Sequence, residues 1–321
     1  MGAVSFLLRM KPVFKEKVWG GNALEKEFGY PIPSENTGEC WGISGHENGE
    51  SIIEEGPYAG KTLRALWEEK PGLFGGGSGE FPLLVKFIDA AQDLSVQVHP
   101  DDDYARKKEG YAYGKTECWY IVSARPEAEL VLGHHARSRE ELTRMAQSGR
   151  WDELFRRVPV KKGDFIYVPS GTVHAIGAGI VLLEVQQSSD ITYRFYDYDR
   201  PDSDGSLREL HIEDSIACSM VPHEDRTPDK REWAEEDAKV EELIDSEFFS
   251  IRNITLDGKT VLRKRAPYQL ITVLRGEGTA HNEKETHTFR QGDHFVVTEG
   301  TSPLHLEGNM QYIVAEPGEK A

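Results

Sequence analysis

At 321 residues the chain can fill one large domain or two ordinary ones, and 38% hydrophobic content supplies a sizeable core. A formal net charge of −17 excludes a nucleic-acid backbone as partner, because phosphates need a clustered cationic surface; an anionic ligand would need a local patch of Lys and Arg set against that background. No apolar run reaches bilayer-spanning length, and the opening MGAVSFLLRMKPVF turns polar too soon for a signal peptide, so no membrane partner is expected. Gly2 fits a myristoylation pattern, but with no second membrane signal the start reads as ordinary. Cys40, Cys118 and Cys218 are widely spaced and odd in number, which gives no disulfide framework and points to a reducing cytoplasm.

In chain order, short β-type runs dominate: FPLLVKFID, LSVQVHP, ECWYIVSA, AELVLG, DFIYVP, IVLLEVQQ and ITYRFYDY, then FFSIRNITL, YQLITVLRG, HTFRQGDHFVVT and MQYIVAE. Gly, Pro and Asp turns punctuate them, the pattern of an all-β barrel or sandwich. Helices are expected in NALEKEF, KTLRALWEEK, SREELTRMAQSG with its capping box from Ser138, the following WDELFRRV, and ELHIEDSIACSM. The charged, proline-bearing stretch 222–242 reads as a linker between two β domains, 1–222 and 243–321. An internal repeat supports the division: KKGDFIYVPSGTVH from Lys161 aligns with RQGDHFVVTEGTSP from Arg290, keeping Gly163–Asp164 against Gly292–Asp293 and Gly171 against Gly300. His174 faces Pro303 in that alignment, so any metal belongs to the N-terminal unit.

Alternation along SVQVHPDDD puts Val96 and Val98 on one face and Ser95, Gln97 and His99 on the other. The Asp101–Asp103 run suits a helix N-terminus. In GKTECWYI, Glu117 shares a face with Trp119 and Ile121, where a lone carboxylate is costly; Lys115 could pair with it, or a metal could. Gln97, His99, Glu117 and His174 together offer nitrogen and oxygen donors suited to Zn²⁺ or another first-row divalent ion. In ITYRFYDY, Thr192, Arg194, Tyr196 and Tyr198 are expected on one face, with Arg194 suited to phosphate or carboxylate, or to a cross-strand ion pair. GLFGGGSGE lacks the strand and helix context of a phosphate cradle.

KPVFKEKVWGG, ECWGISGHENGES, PLLVKFIDA, Gln-x-His-Pro in SVQVHPDD, GKTECWYI, VPSGTVHAIG and ITYRFYDYDR together resemble the type I mannose-6-phosphate isomerases, in particular their short bacterial form, over nearly the whole chain. The resemblance implies a mainly β fold of two cupin-type jelly-roll barrels with helical insertions, the second metal-free. It implies one zinc per chain and interconversion of mannose 6-phosphate and fructose 6-phosphate through an enediol. It places the zinc ligands on Gln97, His99, Glu117 and His174, a catalytic arginine on Arg194, and an active-site lysine on Lys115. Longer relatives carry an Arg and then a Lys across the stretch matching SSDITYR, where this chain has Ser188 and Arg194, so Arg194 is open to a role on phosphate, in chemistry, or both. The proton-abstracting group is open between Lys115 and a carboxylate such as Glu184. The expected partner is a phosphorylated hexose, bound by a cytoplasmic monomer or weak homo-oligomer. Two other readings stand beside this one: a cupin metal-dependent dioxygenase, and a non-catalytic sugar-phosphate binder.

Overall fold

The computed structural model describes residues 7–202, 205–282, 285–301 and 303–320; the Gly2 pattern lies outside the described residues. The first strands are β1 (Leu7–Lys11), β2 (Val13–Gly21), β3 (Thr37–Ile43), β4 (Ile52–Ile53), β5 (Leu83–Ala90), β6 (Val96–Val98) and β7 (Glu117–Ala124). There follow β8 (Glu129–His134), β9 (Phe155–Pro159), β10 (Phe165–Val168), β11 (His174–Ile176), β12 (Ile180–Gln187) and β13 (Tyr193–Tyr196). The C-terminal part adds β14 (Arg231–Glu235), β15 (Ala238–Asp245), β16 (Phe249–Leu262), β17 (Gln269–His281), β18 (Thr286–Arg290), β19 (His294–Val297) and β20 (Leu304–Pro317).

The expected helices form, and their ends explain why. They are α1 (Ala23–Phe28), α2 (Leu63–Glu69), α3 (Asp102–Glu109), α4 (Arg139–Gln147), α5 (Trp151–Leu154) and α6 (Ile212–Cys218). Asp101 caps α3 by accepting from the Tyr104 amide at 2.8 Å, so the Asp run is a helix start. Ser138 caps α4 through the Glu141 amide at 3.2 Å, while the Glu141 carboxylate reaches back to the Arg137 amide at 2.8 Å. WDELFRRV is only one turn of helix before it becomes β9.

Three sheets result. The strand order is β10-β7-β12-β5-β3-β2 in one, β13-β6-β11-β8-β9 in the second, and β14-β15-β16-β20-β17-β19-β1-β4 in the third, where β18 also pairs with β17. The chain is mainly β, but among the described residues none of these ladders closes on itself, and the sheets do not establish two closed barrels. The six- and five-stranded sheets pack face to face through Trp19, Ile88, Trp119, Ile121, Leu130, Ile176 and Leu182. Val96, Val98, Val173, Ala175 and Phe195, on the far side of the five-stranded sheet, are covered by α4, α5 and α6. The far side of the six-stranded sheet packs through Cys40, Phe87, Leu183 and Val185 onto α2 and the large sheet.

Two expectations change here. Residues 231–242, read as linker, form β14 and the start of β15; alternation is present in Ala238, Val240 and Glu242, inward, against Lys239, outward, but charge masks it. The two halves also interlock, since β1 pairs with β19 and β4 adds to it at the edge of the C-terminal sheet.

The repeat is structural. Gly163 and Gly292 adopt φ of 88° and 87°, and Asp164 and Asp293 each accept the amide three residues back, at 2.9 and 2.8 Å. Ile121 and Val273 donate to those two aspartate carbonyls, so β7 corresponds to β17 with a constant offset. Glu117 pairs with Val168 as Gln269 pairs with Val297, which puts Gln269 where the first copy has Glu117. With Pro303 standing for His174, the second copy has lost two of the metal-type donors.

His294 locks the halves together. It is buried, with Nε2 3.0 Å from the Tyr30 hydroxyl and Nδ1 2.9 Å from Thr272 Oγ1, and its ring fills the space a Cβ on Gly42 would need. Burial lowers its pKa to about 3. The unfolded chain then binds a proton that the folded chain refuses, so this group's stability is complete above the unfolded value of 6.5 and is lost as pH falls toward 3. We expect His294→Gln to flatten the acid limb of stability against pH by up to ~1.4 kcal/mol per pH unit between those values. Denaturant titrations at several pH values check this; an unchanged slope contradicts it.

Candidate metal centre and active-site cleft

Opposed rows of side chains point into the space between the two smaller sheets. On one wall His174, Gln97 and Arg194 stand in register across β11, β6 and β13. On the other, Glu117 of β7, Glu184 of β12 and Lys86 of β5 sit on the inward face of their strands, with Trp41 beside Lys86 and Lys15 beside Glu39. The alternation expected for SVQVHP is therefore present, valines outward and Gln97 and His99 inward.

His99, Glu117 and His174 are all buried, and their ligand-type atoms lie within 4.8 Å of one another. His99 Nδ1 donates to the Ile191 carbonyl and His174 Nδ1 to the Thr172 carbonyl, each at 2.8 Å. These bonds fix both tautomers and turn the lone pair of each Nε2 toward Glu117. His174 Nε2 is 3.3 Å from Glu117 Oε1 and 3.4 Å from the Gln97 amide. Burial, with Lys115 next, lowers His174 to about 4, and burial also holds His99 well below 6.5, so both rings are neutral donors. Lys115 Nζ spans His99 Nε2 at 3.0 Å and Glu117 Oε2 at 2.5 Å.

Glu117 Oε1, by contrast, is buried with no hydrogen-bond partner among the described residues. Burial, reinforced by Glu184, raises Glu117 to about 8 against the pull of Lys115. A divalent cation on that oxygen would reverse the sign and supply the missing contact. The two imidazoles, the carboxylate and the Gln97 amide could thus hold such an ion, and the orphaned oxygen shows that they fit one.

Next to this cluster lies an ion-pair chain in which Glu184, a candidate from the sequence, is joined by Lys86 and Glu39, which no motif singles out. Lys86 contacts Glu184 at 2.6 Å and Glu39 at 4.0 Å; Trp119 donates to Glu184 at 2.8 Å and Trp41 to Glu39 at 2.8 Å. Burial opposes ionisation of Glu184, but Lys86 and Lys115 overcome it and lower the group to about 2. The same pairing, with Glu39, raises Lys86 despite its burial. A buried lysine within the apolar run PLLVKFIDA was the available signal, since it requires a partner carboxylate.

Arg194 does reach the cleft. Its Nη1 donates to the Glu209 carbonyl at 2.8 Å, and among the described residues its buried Nε has no hydrogen-bond partner and no carboxylate pairs with it. Burial, with Arg208 next, lowers its pKa. Tyr196 and Tyr198 do not share its face: the register slips between Arg194 and Tyr196, and both tyrosines turn to line a separate hollow beside Trp151. The cleft occupies about 460 Å³ and includes Gln97, Lys115, Glu184 and Arg194 in its lining. A larger cleft of about 730 Å³ beside α3 has its cations Arg106, Arg226 and Lys320 already paired with Asp103, Glu224 and Glu247.

Comparison with known proteins identifies the class. Residues 7–117 match the family described as phosphomannose isomerase type I, catalytic domain, and residues 239–317 match the mannose-6-phosphate isomerase cupin domain. The chain is 50% identical over 309 residues to mannose-6-phosphate isomerase ManA of Bacillus subtilis, covering 96% of this chain and 98% of that protein. It is 46% identical to the mannose-6-phosphate isomerase of Streptococcus mutans, covering 95% and 96%. A crystal structure of the mannose 6-phosphate isomerase from Bacillus subtilis superposes with a TM-score of 0.95 at 44% identity, covering 97% of this chain and all of that one. A mutant phosphomannose isomerase from Salmonella typhimurium shares the fold at 15% identity, with a TM-score of 0.79 over 98% of this chain and all of that one.

The chain belongs to the type I mannose-6-phosphate isomerase family. It is an enzyme, an aldose-ketose isomerase of sugar phosphates, which sets aside the dioxygenase and the non-catalytic binder. Among the described residues no helix is long and apolar enough to cross a membrane.

Proposed function

We propose that the chain interconverts mannose 6-phosphate and fructose 6-phosphate with one zinc ion held by Gln97, His99, Glu117 and His174. The observation that carries this reading is the orphaned Glu117 Oε1 facing two neutral, tautomer-fixed imidazoles inside a polar cleft. Nitrogen and oxygen donors without thiolate suit zinc. Bound zinc would supply a Lewis acid for the sugar's carbonyl oxygen.

The remaining work falls to side chains. Isomerisation moves a proton between C2 and C1 and builds negative charge on the sugar oxygens. Glu184, held ionised by Lys86, is a weak proton acceptor; its part is to fix the Lys86 ammonium where that oxygen charge develops. Lys115, in contact with both His99 and Glu117, is placed to carry the proton between the two carbons. Arg194, two strands from His174 and lacking a carboxylate partner among the described residues, receives the phosphate. We read residues 1–222 as carrying the catalytic cupin-type unit and 243–321 as its metal-free copy, whose sheet also takes in β14, the start of β15, β1 and β4, in a cytoplasmic protein.

Chelation followed by metal replacement tests the proposal. Chelator-treated protein should lose conversion of mannose 6-phosphate, and added zinc should restore it with solvent deuterium entering the product. Full turnover by stripped protein would overturn the zinc assignment.

A further inference from the structure

The cleft gathers many cations within an acidic protein. Lys15, Lys17, Lys86, Lys115, Arg194 and Arg208 line it against three carboxylates, Glu39, Glu184 and Asp190, in a chain of formal charge −17. Most of these cations are already neutralised. Lys86 pairs with Glu184, Lys115 with Glu117, Arg208 with Asp197 at 2.5 Å, and Lys17 with Glu39 at 3.5 Å. Among the described residues, Lys15 and Arg194 are the lining cations without a carboxylate within 4 Å.

Lys15 is also held in place. Its ammonium donates to the Asn48 carbonyl and lies 5.1 Å from the centre of the Trp41 ring. Gly49 closes over it, so that a Cβ there would come 3.1 Å from Lys15 Cε and 2.9 Å from the Trp41 ring. The Asn48 amide in turn bonds Asp190 at 2.5 Å, at the start of the segment leading to Thr192 and Arg194. Lys15 stands on β2, the outer strand of the six-stranded sheet, and Arg194 on β13, the outer strand of the five-stranded sheet. A half-buried, immobilised and uncompensated cation is costly unless an anion completes it, and its rigidity lowers the entropic cost of binding one.

We propose that Lys15 forms the second arm of a phosphate clamp with Arg194, so that the substrate's phosphate is gripped from both sheets at the end of the cleft away from His99, Glu117 and His174. The inference rests on the reading of the cleft as a sugar-phosphate site. His174 and Arg194 are two strand spacings apart, about 10 Å, which matches an extended six-carbon chain carrying its carbonyl at one end and its phosphate at the other. Lys15 touches neither the metal-type cluster nor the Lys86–Glu184 pair, so it is a specificity-determining contact and not part of the proton-transfer machinery.

The test compares Lys15→Met and Lys15→Arg with the parent enzyme. Losing a charge-assisted contact to phosphate should raise KM for mannose 6-phosphate about 10- to 100-fold while kcat stays within about threefold. Lys15→Arg should recover most of the affinity. Calorimetry with inorganic phosphate as the probe reads the clamp without turnover, and Lys15→Met should weaken that binding about tenfold or more. Unchanged KM and unchanged phosphate affinity in Lys15→Met would overturn the clamp, as would a loss confined to kcat. A parent enzyme that binds phosphate but turns over no mannose 6-phosphate would overturn the functional reading and leave the clamp standing.

Discussion

His99→Ala is expected to purify with metal content near zero and with kcat/KM for mannose 6-phosphate lowered about 10³-fold, the kinetic equivalent of the several kcal/mol that a bound cation lends a developing oxyanion. The imidazole cannot be replaced locally. Its Nε2 is turned inward by the Nδ1 bond to Ile191, and the neighbouring Lys115 ammonium and His174 ring are already engaged with Glu117. His99→Gln retains a nitrogen or oxygen donor and most of the buried volume, so it should fold like the parent and regain part of the metal at high zinc. Metal analysis beside the activity assay checks both. His99→Ala with full metal content would remove His99 from the cluster.

Lys86→Met should destabilise the protein by about 3–5 kcal/mol near pH 8, because it leaves Glu184 as an uncompensated buried carboxylate. The pH dependence is diagnostic. In the parent, Glu184 is lowered to about 2, so its stabilisation is complete above the unfolded value of 4.5 and is lost as pH falls through 2. Without Lys86, burial is opposed only by Lys115 and the Trp119 N–H, so the folded pKa rises, protonation on acidification relieves the strain sooner, and the mutational cost shrinks as pH falls from 8 to 5. The double variant Lys86→Met, Glu184→Gln should be clearly less unstable than Lys86→Met alone. Denaturation midpoints at the two pH values decide it: equal losses at both, or an additive double variant, would contradict the pairing.

Much of this site is written into local alternation. The valines of SVQVHP face outward and Gln97 and His99 inward because a strand leaves them no other arrangement, and Glu117 beside Trp119 announces a buried carboxylate in need of a partner. The loss of His174 at Pro303 also reads directly from the repeat, and strand register adds the matching loss of Glu117 at Gln269. Lys86 is harder to see, because all eight residues of β5 are buried and a strand covered on both faces shows no alternation. Lys15 and Lys17 look like solvated charge until β2 is placed at the mouth of the cleft. The pairing of β1 with β19 joins residues nearly 290 positions apart, which no local pattern encodes. Arg194 lines the cleft, but the register slip after it turns Tyr196 and Tyr198 elsewhere, and such irregularities depend on packing against Trp151 and not on sequence period.

The most direct test of the central claim is a crystal of the zinc-replete enzyme measured at the zinc absorption edge. The account predicts one anomalous peak per chain, enclosed by Gln97, His99, Glu117 and His174, with Glu117 Oε1 among its contacts. A fully active crystal with no peak at that position, or with its zinc held by the C-terminal copy around Gln269, would contradict it.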